Sequence, residues 1–83
     1  MKAQCYWIDP AQDAEPTSGY VPSLVVENES GHSPLAGRGK YAAPWTWGKT
    51  YEKAVEVCKH VNNRNGVTPE EANRIVASSQ AAI

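Results

Sequence analysis

Thr50-Tyr51-Glu52-Lys53-Ala54-Val55-Glu56-Val57-Cys58-Lys59-His60-Val61-Asn62-Asn63-Arg64-Asn65-Gly66-Val67-Thr68-Pro69-Glu70-Glu71-Ala72 decides the fold, because it spells out one helix, its end, and the start of a second. Tyr51, Ala54, Val55, Cys58 and Val61 recur at helical spacing and form one apolar stripe. Glu52, Lys53, Glu56, Lys59 and Asn63 cover the other side, and Glu56 stands four residues before His60, a spacing that predicts an ion pair. Thr50 is placed as the N-cap, and Asn65-Gly66 supplies a left-handed stop. Thr68-Pro69-Glu70-Glu71 reads as a capping box with proline at the first helical position. There the Thr68 hydroxyl accepts from the Glu71 amide, and the Glu71 carboxylate reaches back to the Thr68 amide. Val67 and Ala72 make a weak hydrophobic staple, and Ala72, Ile75, Val76 and Ser79 form the expected buried face.

Outward from this segment, the N-terminal half reads as strands and turns. Residues 3–8 are short and rich in strand formers, and Pro10 ends them. Residues 11–19 form a loop by composition. Residues 20–28 read as the best strand, with Leu24 and Val26 alternating with Val25 and Glu27, and Pro22 restricting its first half to an edge or a bulge. Ser30-Gly31 signals a turn, residues 32–35 the returning arm of a hairpin, Gly37-Arg38-Gly39 a second turn, and residues 43–47 a last short strand. The expected fold is α+β: a small antiparallel sheet of two to four short strands followed by an αα-hairpin packed on one face. One domain covers residues 1–83, with 1–47 mainly strands and loops and 50–80 two helices.

Ile, Leu, Val and Phe together number only 13 of 83 residues, so four Tyr, three Trp and eleven Ala must complete a small, partly aromatic core. The net charge of −1 conceals an asymmetry. Residues 1–30 set Lys2 against Asp9, Asp13, Glu15, Glu27 and Glu29, whereas residues 31–64 set Arg38, Lys40, Lys49, Lys53, Lys59 and Arg64 against Glu52 and Glu56. Such a map steers partners unless the two regions face each other. No apolar run reaches the ~20 residues of a membrane helix, and the first ten residues lack the apolar stretch of a secretion signal. Two cysteines are too few for a disulfide scaffold, so a reducing cytoplasm is the expected compartment. Cys5 and Cys58 read as two small buried apolar side chains, with a disulfide between them as the alternative.

Ala43-Pro44-Trp45-Thr46-Trp47-Gly48-Lys49-Thr50 fits a loose nucleotide-loop pattern, but two tryptophans and a proline oppose the close wrapping of amides around phosphate. The simpler reading is a strand-to-helix corner, with Gly48, Lys49 and Thr50 as anion-binding candidates at the helix start. Cys58 and His60 diverge on a helix, so no metal site is expected, and no cofactor. The Ser30-Gly31-His32-Ser33 segment is a polar hairpin tip rather than a nucleophile with its base. No constellation requires catalysis, and a non-enzyme is expected. Basic and aromatic residues interleave over 38–53, as in single-strand nucleic-acid binders, yet the chain is slightly acidic. Arg38, Tyr41, Trp45 and Trp47 are residue types enriched at protein contacts, with burial in the core as the rival role for the tryptophans. An open sheet edge is a second possible contact surface.

Trp47-Gly48-Lys49-Thr50-Tyr51-Glu52 with Ala54, then Asn62, Gly66-Val67-Thr68-Pro69-Glu70-Glu71-Ala72 and Ile75-Val76-Ala77-Ser78-Ser79, resembles small uncharacterised proteins of actinobacterial phages and prophages. The resemblance covers roughly residues 20–83 and carries no catalytic residues. It implies a phage accessory protein, made in a bacterial cytoplasm, that acts by binding a host or phage macromolecule. The function expected is therefore protein binding without catalysis, with nucleic-acid binding or anion and nucleotide sensing as alternatives.

Overall fold

The computed structural model describes residues 2–12, 19–34 and 47–81. Strands β1 (Gln4–Trp7), β2 (Ser23–Val26) and β3 (Ser33–Pro34) precede helices α1 (Tyr51–Arg64) and α2 (Pro69–Ala81). The strands form an antiparallel sheet in the order β1-β2-β3, and both helices pack against it, so the α+β class holds. Pro22 lies just outside β2, which lets that strand occupy the centre of the sheet.

Alternation along β1 explains how each helix meets the sheet. Cys5 is paired with Val25 and Trp7 with Ser23, and the Glu27 amide donates to the Ala3 carbonyl. The backbone groups of Ala3, Cys5 and Trp7 therefore face β2, while those of Gln4 and Tyr6 point to the outer edge. The same alternation puts Ala3, Cys5, Trp7 and Val25 on one face. Helix α2 covers that face: Ile75 is fully buried against Cys5 and Val25, flanked by Ala3, Trp7, Val67, Ala72 and Val76. Helix α1 instead meets the outer edge and the opposite alternation. Its Ala54 and Cys58 form a second cluster with Ile8 and Trp47, joined by Tyr6, Tyr20, Tyr51 and Val55. Tyr6 stands edge-on to Trp47 at 5.4 Å, and Tyr20 edge-on to Tyr51 at 5.8 Å. Aromatic rings thus supply the volume that the missing leucines and phenylalanines do not.

The helix ends follow local chemistry. The Lys53 amide donates to the Thr50 hydroxyl at 3.2 Å, and Gly66 adopts the left-handed conformation (φ 83°) after the α1 terminus. The Glu71 amide donates to the Thr68 hydroxyl at 3.1 Å, which forms half of the expected capping box. The other half is corrected: Arg74 bonds the Glu71 carboxylate, holding it on the helix surface rather than over the Thr68 amide. A charged partner one turn away outcompetes a neutral amide for that carboxylate. The predicted Glu56–His60 pair does not form, and both side chains are exposed.

The strand expected over 43–47 lies mostly outside the described residues. Trp47 belongs to no strand, and the residue bridged to Tyr20 is Gly48, one position later. Tyr20 donates to the Gly48 carbonyl at 2.7 Å and accepts from the Trp47 amide at 3.0 Å, an isolated antiparallel bridge. The turn after β2 comes earlier than expected, at Glu27-Asn28, where Asn28 is left-handed (φ 59°) and the Glu29 amide donates to the Val26 carbonyl at 3.3 Å; Ser30-Gly31 forms a bend, with Gly31 at φ 81°, and Ser33–Pro34 returns beside β2.

Candidate functional site

Arg38, Tyr41 and Trp45 lie outside the described residues. Trp47, expected at a contact surface, is only 6% exposed. Its ring is part of the core, where the shortage of aliphatic side chains draws it, and it offers no face for a partner or a nucleic-acid base. The anion candidates Gly48, Lys49 and Thr50 stand together at the start of α1. Thr50 caps α1 with its hydroxyl, Lys49 is exposed, and Glu52 already places a carboxylate in the first helical turn. A Cβ at Gly48 would lie 2.7 Å from the Ala54 backbone nitrogen, so close approach to α1 is what requires glycine there.

The two cysteines occupy separate clusters and are not bonded to each other. The Cys58 thiol donates to the Tyr6 carbonyl at 3.1 Å, and the Cys5 thiol faces the Ala72 carbonyl at 3.8 Å. Burial, with the nearby Glu71 charge, pushes Cys5 up to about 11, and burial pushes Cys58 up to about 12. Both stay protonated at neutral pH, which suits packing rather than nucleophilic attack. His32 and Asp9, far apart in sequence, meet at 3.1 Å, and the imidazole stands edge-on to Trp7 at 5.2 Å. This cluster ties the start of β3 to the end of β1.

A groove of about 150 Å³ lies between the two helices at the end of β1. Tyr51, Val55, Cys58 and Lys59 from α1 make one wall, and Pro69, Ala72, Asn73 and Val76 from α2 make the other. Tyr6, Trp7 and Ile8 close the floor. The facing rows are short side chains, Val55 and Cys58 against Ala72 and Val76, so the helices touch through the sheet more than through each other. The groove is mainly apolar, and Trp7, Tyr51, Val55 and Val76 remain half-buried within it. Lys59 and Pro69 also border a shallower trough along the outer side of α1, lined further by Lys53, Glu56, His60 and Asn63.

Electrostatics separate this surface from the rest. The described acids of the first third are taken: Asp9 by His32, Glu29 by Lys2, and Glu27 by Arg74. Among the described residues, Lys49, Lys53, Lys59 and Arg64 form no ion pair. Lys49, Lys53, Lys59 and Arg64 therefore do not pair with the described acidic residues before them. The groove was not apparent in the sequence, because the stripe at 51, 54, 55, 58 and 61 reads as wholly core-facing; the small size of Val55, Cys58, Ala72 and Val76 was the available signal. No protein-family model, curated protein or solved structure matches the chain.

Proposed function

We propose that the chain is a small, non-enzymatic accessory protein of the phage type that acts in a bacterial cytoplasm by binding another protein. The observation that carries this reading is the apolar groove between α1 and α2, in which Trp7, Tyr51, Val55 and Val76 stay partly accessible. Aromatic and aliphatic side chains around a concave site are what a buried anchor from a partner needs. The two buried, protonated cysteines and the capped helix start favour binding over catalysis. The sequence resemblance supports the source and the compartment.

Affinity capture from an actinobacterial lysate tests the reading. Wild-type protein should retain a partner that the Val55→Glu variant does not, with circular dichroism showing the same helix content in both. Identical captures on the two columns, or no specific capture on either, would overturn it.

A further inference from the structure

We infer that the groove accepts an acidic peptide segment of the partner, with one large apolar side chain between α1 and α2 and carboxylates on Lys59 and Lys53. The inference rests on the protein-binding reading and specifies its chemistry. A space of about 150 Å³ matches one anchor side chain, since a cavity of that size in another protein holds benzene. The rest of such a segment would run along the trough, because Lys59 and Pro69 border both spaces. Along that path Lys53 and Lys59 outnumber Glu56, the one acid that lines it among the described residues. These lysines have no ion-pair partner among the described residues, so an approaching carboxylate displaces no pair formed within them. Asn73, exposed on the α2 wall, offers a carboxamide to a peptide backbone. A nucleic-acid strand fits less well: the groove interior is apolar, and Trp47 is buried and offers no ring for a base to stack on.

Amide-shift titration of the full chain tests this with three synthetic pentapeptides. One has a central leucine flanked by glutamates, the second the same leucine flanked by lysines, and the third a central alanine flanked by glutamates. The acidic leucine peptide should shift the amides of Val55, Lys59, Ala72, Asn73 and Val76, and bind more weakly as salt is raised. Lys59→Glu should weaken it by about two- to fivefold, the range for an exposed pair, and should improve binding of the lysine-flanked peptide. Asn73→Trp, which fills the groove from an exposed position, should abolish the shifts. Equal binding of the acidic and lysine-flanked peptides to wild type would overturn the acidic preference while leaving protein binding in place. No shift in the groove with any peptide would overturn both. Tighter binding at the same amides by a short thymidine oligonucleotide, or by hexanoate, would overturn the peptide assignment in favour of nucleic acid or a small carboxylate.

Discussion

A side-chain carboxamide carries the same donor and acceptor as a peptide group, and two residues use that equivalence. Asn62 accepts from the Tyr6 amide at 2.9 Å and donates to the Tyr6 carbonyl at 3.0 Å. Gln12 accepts from the Val21 amide at 2.8 Å and donates to the Val21 carbonyl at 2.9 Å. Asn62 is 4% exposed, so these bonds are shielded from water. Asn62→Ala should remove both bonds to the Tyr6 backbone, leaving the Tyr6 carbonyl the weaker Cys58 thiol donor, and cost about 1–3 kcal/mol, measured by urea unfolding. Asn62→Asp should show a different dependence. Its ionised carboxylate keeps the bond from the Tyr6 amide but loses the donor to the carbonyl, whereas the protonated acid restores that donor. The stability gap to wild type should therefore narrow on going from pH 7 to pH 4, and a constant gap would contradict the clamp. Asn62 could not be identified from the sequence, since an asparagine four residues after a buried cysteine reads as an interruption of the stripe. Its partner is a backbone that only the tertiary fold brings near.

At the scale of elements, what could be read from the sequence was what is settled locally. Thr50, Gly66 and Thr68 perform their roles through contacts within four residues, and the helices fall where those residues place them. Glu71 departs from expectation because its carboxylate had two local suitors, the Thr68 amide and Arg74, and sequence spacing does not rank them. This predicts a split between two substitutions. Thr68→Ala should destabilise the protein by about 1 kcal/mol through the lost cap. Glu71→Gln should cost well under that, since it removes an exposed ion pair and no cap bond. Thermal unfolding of the two variants checks the order, and equal losses would restore the reciprocal box. The strands were harder to bound. Their pairing depends on partners up to two dozen residues away, and only the cores of the expected segments, Gln4–Trp7 and Ser23–Val26, keep the ladder. The helix positions relative to the sheet were hidden for the same reason: β1 turns alternate residues toward α2 and toward α1, and one strand's sequence does not say which is which.

For the whole molecule, one carboxylate joins three parts. Glu27 accepts from the Ala3 amide at 3.2 Å and from Arg74 at 3.0 Å, tying the N-terminal segment, the end of β2 and α2 together. The Ala3 amide first, and Arg74 next, hold the Glu27 carboxyl below the ordinary value of 4.5. A carboxyl lowered by folding contributes stability above its unfolded value, and that stability is lost as the pH falls through the lower folded value. Unfolding midpoints should therefore drop between about pH 5 and pH 3, and Glu27→Gln should flatten that drop while lowering stability at neutral pH. An unchanged pH profile in the variant would count against the role of Glu27. The charge asymmetry was visible in the composition, but its meaning was not. Lys2, His32 and Arg74 answer the described acids, and the lysines of α1 are left facing outward. The groove was equally hidden, because it is the space that small side chains on two helices fail to fill.

The Asn62 clamp also bears on how copies of this protein behave at high concentration. A sheet grows into a fibril by adding chains to bare strand edges. On β1 the middle of that edge is occupied by a side chain of its own molecule, and on β3 Pro34 brings no amide to offer. Templated stacking is thus blunted at both ends of the described sheet by different chemistry, an amide that mimics a neighbour and a residue that cannot be one. Recognition through an added strand is discouraged along with it.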